Sequence, residues 1–393
     1  MIEHEQPIRI AQIMGKWVGG GVESVIMNYY RNIDRNKVQF DFLFDEDSNG
    51  IPFDEIKNLG GKVILIPPYQ KIYKYYKSLK KVLKDGNYKI VHSHINVLSV
   101  FSLYAAKRAG VPVRIAHSHS TTNKKEKKKN LIKQILKPFS KTFSTDCMCC
   151  SEHAGRWLFG DKEYDNGNVY ILNNAIDLNK FKYDKNIKEM KRNELGIDSN
   201  TIVLGHVGRF VEQKNHRFLI ELFNEFHKQI PNSELLLVGQ GPLVEEIKEK
   251  VKKLQLEKNV RFLGQQDDIS SLYQAFDIFV FPSLYEGVGM ALVEAQVSGC
   301  YCVCSAQIPI IAKVCNNCEF IDLNSNINIW IEKLVEFSKK SEQNYFMNEI
   351  LKKYDIKLEA KKLENKYLSM YMEEKKYENI GSCSWQWFLR RRK

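Results

Sequence analysis

The stretch Phe281-Pro-Ser-Leu-Tyr-Glu-Gly-Val-Gly-Met-Ala-Leu-Val-Glu-Ala-Gln296 decides how the rest of the chain is read. Ile278-Phe-Val-Phe281 is a short apolar run of β-formers and suits a buried parallel strand. A glycine-bearing turn follows, and Met290, Leu292, Val293 and Val297 continue as a mostly buried helix. A helix start behind Gly-x-Gly leaves backbone N–H groups unpaired at the positive end of the helix dipole, which suits an anion. Glu286 and Glu294 flank this start. If both lie on or beside the helix, eight residues at 1.5 Å rise separate them by about 12 Å, comparable to the reach from a sugar ring across a diphosphate to a ribose. An ordinary strand–turn–helix with one capping and one solvated glutamate stays open at this point.

Working outward, 393 residues exceed what one core usually holds, so two domains are expected. No apolar run approaches the roughly 20 residues of a membrane span, and Met1–Pro7 lacks the basic and apolar regions of a signal peptide. The nine cysteines fall mostly in apolar β-like runs and read as small buried hydrophobes of a reduced, cytoplasmic protein. Cys315-Asn-Asn-Cys318 has zinc or redox spacing without a second pair to complete four ligands. The net charge of +12 is uneven: residues 1–185 hold 30 Lys and Arg against 19 Asp and Glu, the remainder 29 against 28. The excess gathers in Lys71–Lys89 and Lys124–Lys129 and suits anionic substrates or an anionic membrane face. No helix-turn-helix, zinc-finger or RNP-like pattern accompanies it, which argues against nucleic acid.

Two series of alternating strand and helix patterns imply two parallel sheets covered on both faces. The first has strand candidates at Ile8–Ile13, Val38–Phe44, Val63–Ile66, Ile90–His94, Val113–His119, Cys147–Cys150 and Val169–Leu172, with helices over Glu23–Asn32, Tyr73–Leu83, Leu98–Ala109 and Asn130–Ser140. The second has strands at Ile202–Val207, Leu235–Val238, Val260–Leu263, Ile278–Phe281 and Tyr301–Cys304, with helices over His216–Gln229, Leu243–Leu254, Ile269–Ala275 and Met290–Val297. Polar, lysine-rich Lys180–Asp198 reads as the linker. The expected division is an N-terminal domain 1–182, a second domain 183–349, C-terminal helices 350–376, and a basic aromatic tail 377–393. In doubly wound sheets ligands sit beyond the carboxyl ends of the strands.

Candidate chemistry lies on those loops. Gly15–Ser24 contains Gly19-Gly20-Gly21 before a helix, where backbone can approach a ligand. Gly208-Arg-Phe-Val-Glu-Gln-Lys-Asn215 places Arg209 and Lys214 so that a curled loop clamps a diphosphate, the Arg bidentate and the Lys as a point charge. His92/His94 and His117/His119 are i, i+2 pairs, each on one face of a strand; they suit either a metal or hydrogen-bonded structure. Asp45-Glu-Asp47 imitates an Asp-x-Asp metal motif but reads as a solvated loop.

The Glu-x7-Glu pattern of Glu286 and Glu294 resembles the donor motif of the retaining GT-B glycosyltransferases, the family of glycogen synthases and bacterial mannosyltransferases. The likeness extends to the Gly-Gly-Val-Glu loop, the Arg-x4-Lys loop, and Pro112–Ser120, and spans nearly the whole chain. It implies an α/β GT-B fold of two Rossmann-like domains with an interdomain cleft. It implies catalytic roles for Glu286, His119 (His117 second), Arg209 and Lys214. Donor contacts fall on Gly20, Gly21, Arg209, Lys214, Gly287, Val288, Gly289 and Glu294, with no metal or other cofactor. The implied reaction moves a sugar from a nucleotide-sugar, UDP favoured and GDP as the alternative, to a glycan on a lipid carrier. That places a capsular or exopolysaccharide enzyme peripherally at the inner membrane face. Val288-Gly-Met departs from the usual bulky sequence and leaves the sugar open. A GT-B sugar-nucleotide epimerase and a non-catalytic basic module for polyanions are the rival expectations.

Overall fold

The structure, a computed structural model, describes residues 6–119, 133–340 and 349–379. The basic run Lys124–Lys129 and the tail Ser384–Lys393 lie outside the described residues. The chain divides into two compact units, one of residues up to Ala175 together with those from Lys353 onward, the other Ile176–Lys352.

The first unit is built on seven strands: β1 (Ile8–Gly15), β2 (Val38–Asp45), β3 (Lys62–Ile66), β4 (Ile90–Ser93), β5 (Val113–Ser118), β6 (Asp146–Cys149) and β7 (Val169–Ile171). Their order is β3-β2-β1-β4-β5-β6-β7, every neighbouring pair parallel. All eight residues of β2 are buried, its polar Gln39, Asp41 and Asp45 included. Asp41 is held by the Arg9 guanidinium and accepts from the Tyr88 hydroxyl at 2.8 Å.

The C-terminal helix Ile356–Asn379 belongs to this first unit. Ile356, Ala360, Leu363, Tyr367 and Met370 recur at alternating steps of four and three, one helical face, and all five join the core made by β1, β2 and the helix Gly21–Asn32. Buried Glu359 accepts from Asn173 Nδ2 at 3.2 Å, and buried Glu364 from the Asp34 amide at 3.3 Å.

The second unit has β8 (Ile202–Val207), β9 (Ser233–Val238), β10 (Val260–Gly264), β11 (Ile278–Phe281), β12 (Tyr301–Ser305) and β13 (Cys318–Ile321), ordered β10-β9-β8-β11-β12-β13 and again all parallel. Several elements escaped the sequence reading, among them β13 and the helix after it. The strand β13 is only four residues long, and the helix Ile327–Ser338 follows it, burying Trp330, Ile331, Leu334 and Phe337. The stretch Lys180–Asp198 is not an open linker. It holds the helix Lys185–Glu194, tied to the second unit where Arg192, buried, donates to Ala275 O and pairs with Asp277, as Lys188 does at 2.8 Å. Lys180, Lys182 and Lys185 are exposed, while Arg192 and Lys188 do the anchoring, with the Asp184 amide donating to Gln274 Oε1 at 3.1 Å. Cys318 does not join Cys315 in a metal site; its Sγ lies 3.7 Å from that of Cys304, among thiols that are all buried.

Leu363→Ala leaves a cavity under the C-terminal helix. A loss of about 2–5 kcal/mol is expected, read as an earlier urea transition for the first unit, with the second unit's transition unmoved.

Candidate functional site

In the second unit the strand order reverses between β8 and β11, and the two loops leaving their carboxyl ends run side by side. The backbone joins them: Leu284 N–H donates to Gln213 O at 2.8 Å, and Gln213 Nε2 to Tyr285 O at 2.9 Å. The β8 loop closes in a 3-10 turn, Glu212–Lys214, before the helix His216–Gln229. The end of β9 presses on it so closely that a Cβ on Gly239 would lie 2.2 Å from Gly208 O. Lys214 thereby reaches Glu286, Nζ to Oε1 at 2.7 Å, and lies 4.5 Å above the Phe281 ring. Arg209 is exposed and engages no carboxylate among the described residues.

Glu286 precedes the helix Met290–Val297 rather than lying on it, so the helical rise does not measure its separation from Glu294. Gly289, at φ +83°, turns the chain into that helix in a left-handed conformation that disfavours a side chain. Gly287 is exposed and Val288 is buried. Glu294 accepts from the Tyr273 hydroxyl at 2.9 Å. Burial pushes its carboxyl up to about 7, against the pull of that hydrogen bond and of Lys214 and Lys180. Tyr273 is a partner that no motif reveals, since it comes from the helix Ile269–Ala275.

In the first unit, Gly20 caps the helix Gly21–Asn32, and Gly21 has open space around it. The glycine loop is ordered by buried Glu23, whose Oε1 accepts from the Val18 amide at 3.1 Å.

The four histidines of β4 and β5 form one buried network, not two independent pairs. His92 Nε2 meets His117 Nδ1 at 3.0 Å, and His94 Nδ1 meets His119 Nε2 at 2.9 Å. Gln12, from β1, sets the direction of the second of these bonds. Its Oε1 can only accept, so the 2.7 Å contact fixes the proton of His94 on Nε2. His94 Nδ1 is then an acceptor for His119 Nε2–H, and His119 Nδ1 is left as a lone pair. Gln12 Nε2 donates to the Tyr367 hydroxyl at 3.2 Å, and Tyr367 donates to His92 Nδ1 at 2.6 Å. His92 passes its Nε2–H to His117, whose own Nε2 has no partner. Burial holds all four neutral, with His119 lowered to about 3. Ligand atoms of His92, His94 and His117 lie within 4.8 Å of one another, close enough for a metal. Gln12 and Tyr367 were missed because neither stands near the histidines in the chain.

Asp45 and Asp47 are not one solvated loop. Asp47 is exposed and pairs with Lys16 at 2.7 Å, whereas Asp45, at the end of β2, is 4% exposed. Burial, with Asp47 and Glu46 nearby, pushes its carboxyl up to about 6 despite Lys16.

The raised pKa of Glu294 sets a pH dependence of stability. The folded carboxyl keeps its proton up to about 7, where an ordinary one loses it near 4.5. Folding stability therefore falls as pH rises through that window. Glu294→Gln keeps a Tyr273 acceptor and removes the charge. Its Tm relative to the unaltered protein is expected to climb by a few degrees between pH 4.5 and 7 and to level off above. Parallel melting curves across that range would show that the carboxyl titrates normally.

Comparison with known proteins places the two units. Residues 19–180 match the model of Glycosyltransferase Family 4, and 187–353 that of Glycosyl transferases group 1. The chain is 36% identical over 305 residues to EpsF of Bacillus subtilis, a protein named as a glycosyltransferase, covering 76% of this chain and 79% of that one. It is 30% identical over 314 residues, with the same coverage, to the UDP-Gal:α-D-GlcNAc-diphosphoundecaprenol α-1,3-galactosyltransferase of Escherichia coli. The crystal structure of Anabaena HepE with UDP and glucose superposes with a TM-score of 0.73 at 18% identity, over 92% of this chain and all of that one. That likeness is one of fold, two parallel-sheet α/β domains of the GT-B type.

Proposed function

The chain belongs to the glycosyltransferases that couple a family 4 domain to a group 1 domain, GT-B enzymes of polysaccharide biosynthesis. From that premise we propose that it moves a sugar with retention, from a UDP-sugar to a hydroxyl of a lipid-linked bacterial surface polysaccharide. The observation that carries the site is the Lys214–Glu286 ion pair at the carboxyl ends of β8 and β11, with Glu294 within the electrostatic reach of the same lysine.

Lys214 and Arg209 are cations for a departing diphosphate, a preorganised charge that stabilises the transition state without a metal. Glu286 takes the sugar hydroxyls and Glu294 the ribose hydroxyls, with Gly287, Val288 and Gly289 offering backbone to the donor. Gly20 and Gly21 offer theirs from the glycine loop of the first unit, and His119 presents its Nδ1 lone pair to a sugar hydroxyl. Since no group is assigned as a nucleophile at the anomeric carbon, retention follows a front-face course in which the leaving phosphate takes the acceptor's proton. The Escherichia coli relative, named for UDP-Gal and a diphosphoundecaprenol-linked acceptor, supports the UDP donor and the lipid carrier. No helix of the described residues is long and apolar enough to cross a membrane. The helix Ile72–Asp85 carries Lys74, Lys77, Lys80, Lys81 and Lys84 with Ile72 and Tyr73 exposed, which supports peripheral binding to an anionic leaflet.

Lys214→Ala and Arg209→Ala should each lower kcat about 10²–10³-fold; near-normal turnover by a folded variant removes that cation from the mechanism. Glu286→Gln should act on kcat and Glu294→Gln chiefly on donor KM. Activity should survive excess EDTA, and a loss restored by a divalent ion would assign His92, His94 and His117 to a metal.

Co-sedimentation tests the membrane reading. Binding should require anionic vesicles, fall steeply with salt, and weaken when residues 384–393 are deleted. Equal binding to neutral vesicles would overturn it.

A further inference from the structure

A second polar site lies wholly inside the first unit. A cavity of about 160 Å³ opens at the carboxyl ends of β1 and β2, lined by Asp45, Asp47, Lys16, Tyr69, Tyr75 and Ile95 among others. It is many times what a single water needs and smaller than the roughly 300–1,000 Å³ that holds a drug-sized ligand. It suits one ring rather than an oligosaccharide.

Two largely buried polar side chains line this cavity. Asp45 is 4% exposed, and no hydrogen bond or ion pair reaches its carboxylate among the described residues. Tyr75, 2% exposed, has Ser102 beside its hydroxyl and lies close enough to Asp45 to feel its charge. A largely buried carboxylate without a protein partner, open to a cavity, has its hydrogen-bonding capacity free for a ligand.

The lining defines that ligand. A carboxylate accepts several hydrogen bonds and donates none when ionised, so it suits hydroxyl groups. Tyr75 adds one donor and one acceptor. Met14, Ile95 and Leu98 supply apolar wall for C–H groups, and Tyr69 an aromatic face. Lys16 is the cation at the cavity, and it is already paired with Asp47. The lining is therefore net negative and disfavours an anion.

We propose that this cavity recognises a neutral sugar ring of the acceptor, with Asp45 accepting hydrogen bonds from ring hydroxyls and Tyr75 completing the set. The proposal rests on the transferase reading above and deepens it, because it names what the acceptor side selects: a neutral pyranose and not a uronic acid.

The test uses the full chain without donor and reads saturation-transfer NMR with methyl glucoside, methyl galactoside and methyl glucuronoside as probes. A neutral glycoside should bind and the glucuronoside should not. Asp45→Asn and Tyr75→Phe should each weaken binding at least tenfold. In turnover, both should raise acceptor KM by a similar factor with donor KM changed less than twofold. Asp45→Asn is expected to melt at a higher temperature than the unaltered protein at pH 8, since a buried carboxylate facing Asp47, Glu46 and Lys16 is relieved. Retained glycoside binding in both folded variants, or equal binding of the glucuronoside, overturns the proposal. Hydrolysis of UDP-sugar by the unaltered protein separates the two readings. If it occurs and no glycoside binds, the cavity assignment fails and the transferase stands; if no nucleotide-sugar is bound or turned over, both fail.

Discussion

Parallel pairing of β8 with β11 is the constraint from which the donor side of this protein follows. Parallel neighbours need long crossovers, so the residues after β8 and those after β11 stand 72 positions apart in the chain and yet end on one edge of one sheet. Lys214 and Glu286 meet there across a 2.7 Å ion pair that is largely sheltered from water, with the two loops stapled to each other through Gln213. Such a pair is poor evidence for stability, since desolvation offsets much of its attraction. Its worth is positional: it keeps a cation and a carboxylate ready at the start of a helix, where an anionic ligand can compete for the lysine.

The first unit spends its buried polarity differently. Four histidines, a glutamine and a tyrosine form a single chain of hydrogen bonds, with His119 Nδ1 and His117 Nε2 left at its two ends. Because Gln12 Oε1 only accepts, it fixes the proton of His94 and, through it, that of His119. Tyr367 brings the C-terminal helix into this network. The helix that completes the core thus also orients the histidines. Asp45 is the opposite case, a carboxylate at a cavity that no hydrogen bond or ion pair reaches among the described residues.

Much of this was legible in one dimension. Strand and helix alternation specifies two parallel sheets because strands buried on both faces tend to read as continuous apolar runs, as β11 does without exception. The glycine-rich loops were readable for a related reason: close backbone approaches tolerate few side chains, so Gly239 and Gly289 leave little alternative. Where the pattern was weak the reading failed. Strand β13 is too short for a period to show, and Lys180–Asp198 looked like a linker because its composition is polar and Arg192 and Lys188 dock it through charge rather than through an apolar period.

By itself the sequence determined the fold class, every strand but β13, and the residue types on the loops after them, since periodicity and backbone permissiveness are local properties. Tertiary structure alone decided which of those residues are partners. Asp45 and Asp47 are two positions apart, yet one is buried at a cavity and the other is paired in solvent, because Asp45 is the last residue of β2 and Asp47 lies in the turn beyond it. Tyr273 beneath Glu294, and Gln12 with Tyr367 behind the histidines, are contacts across 21 to 355 positions of chain. Hydrogen bonding acts over a few ångströms and is indifferent to sequence separation, so only packing could reveal them.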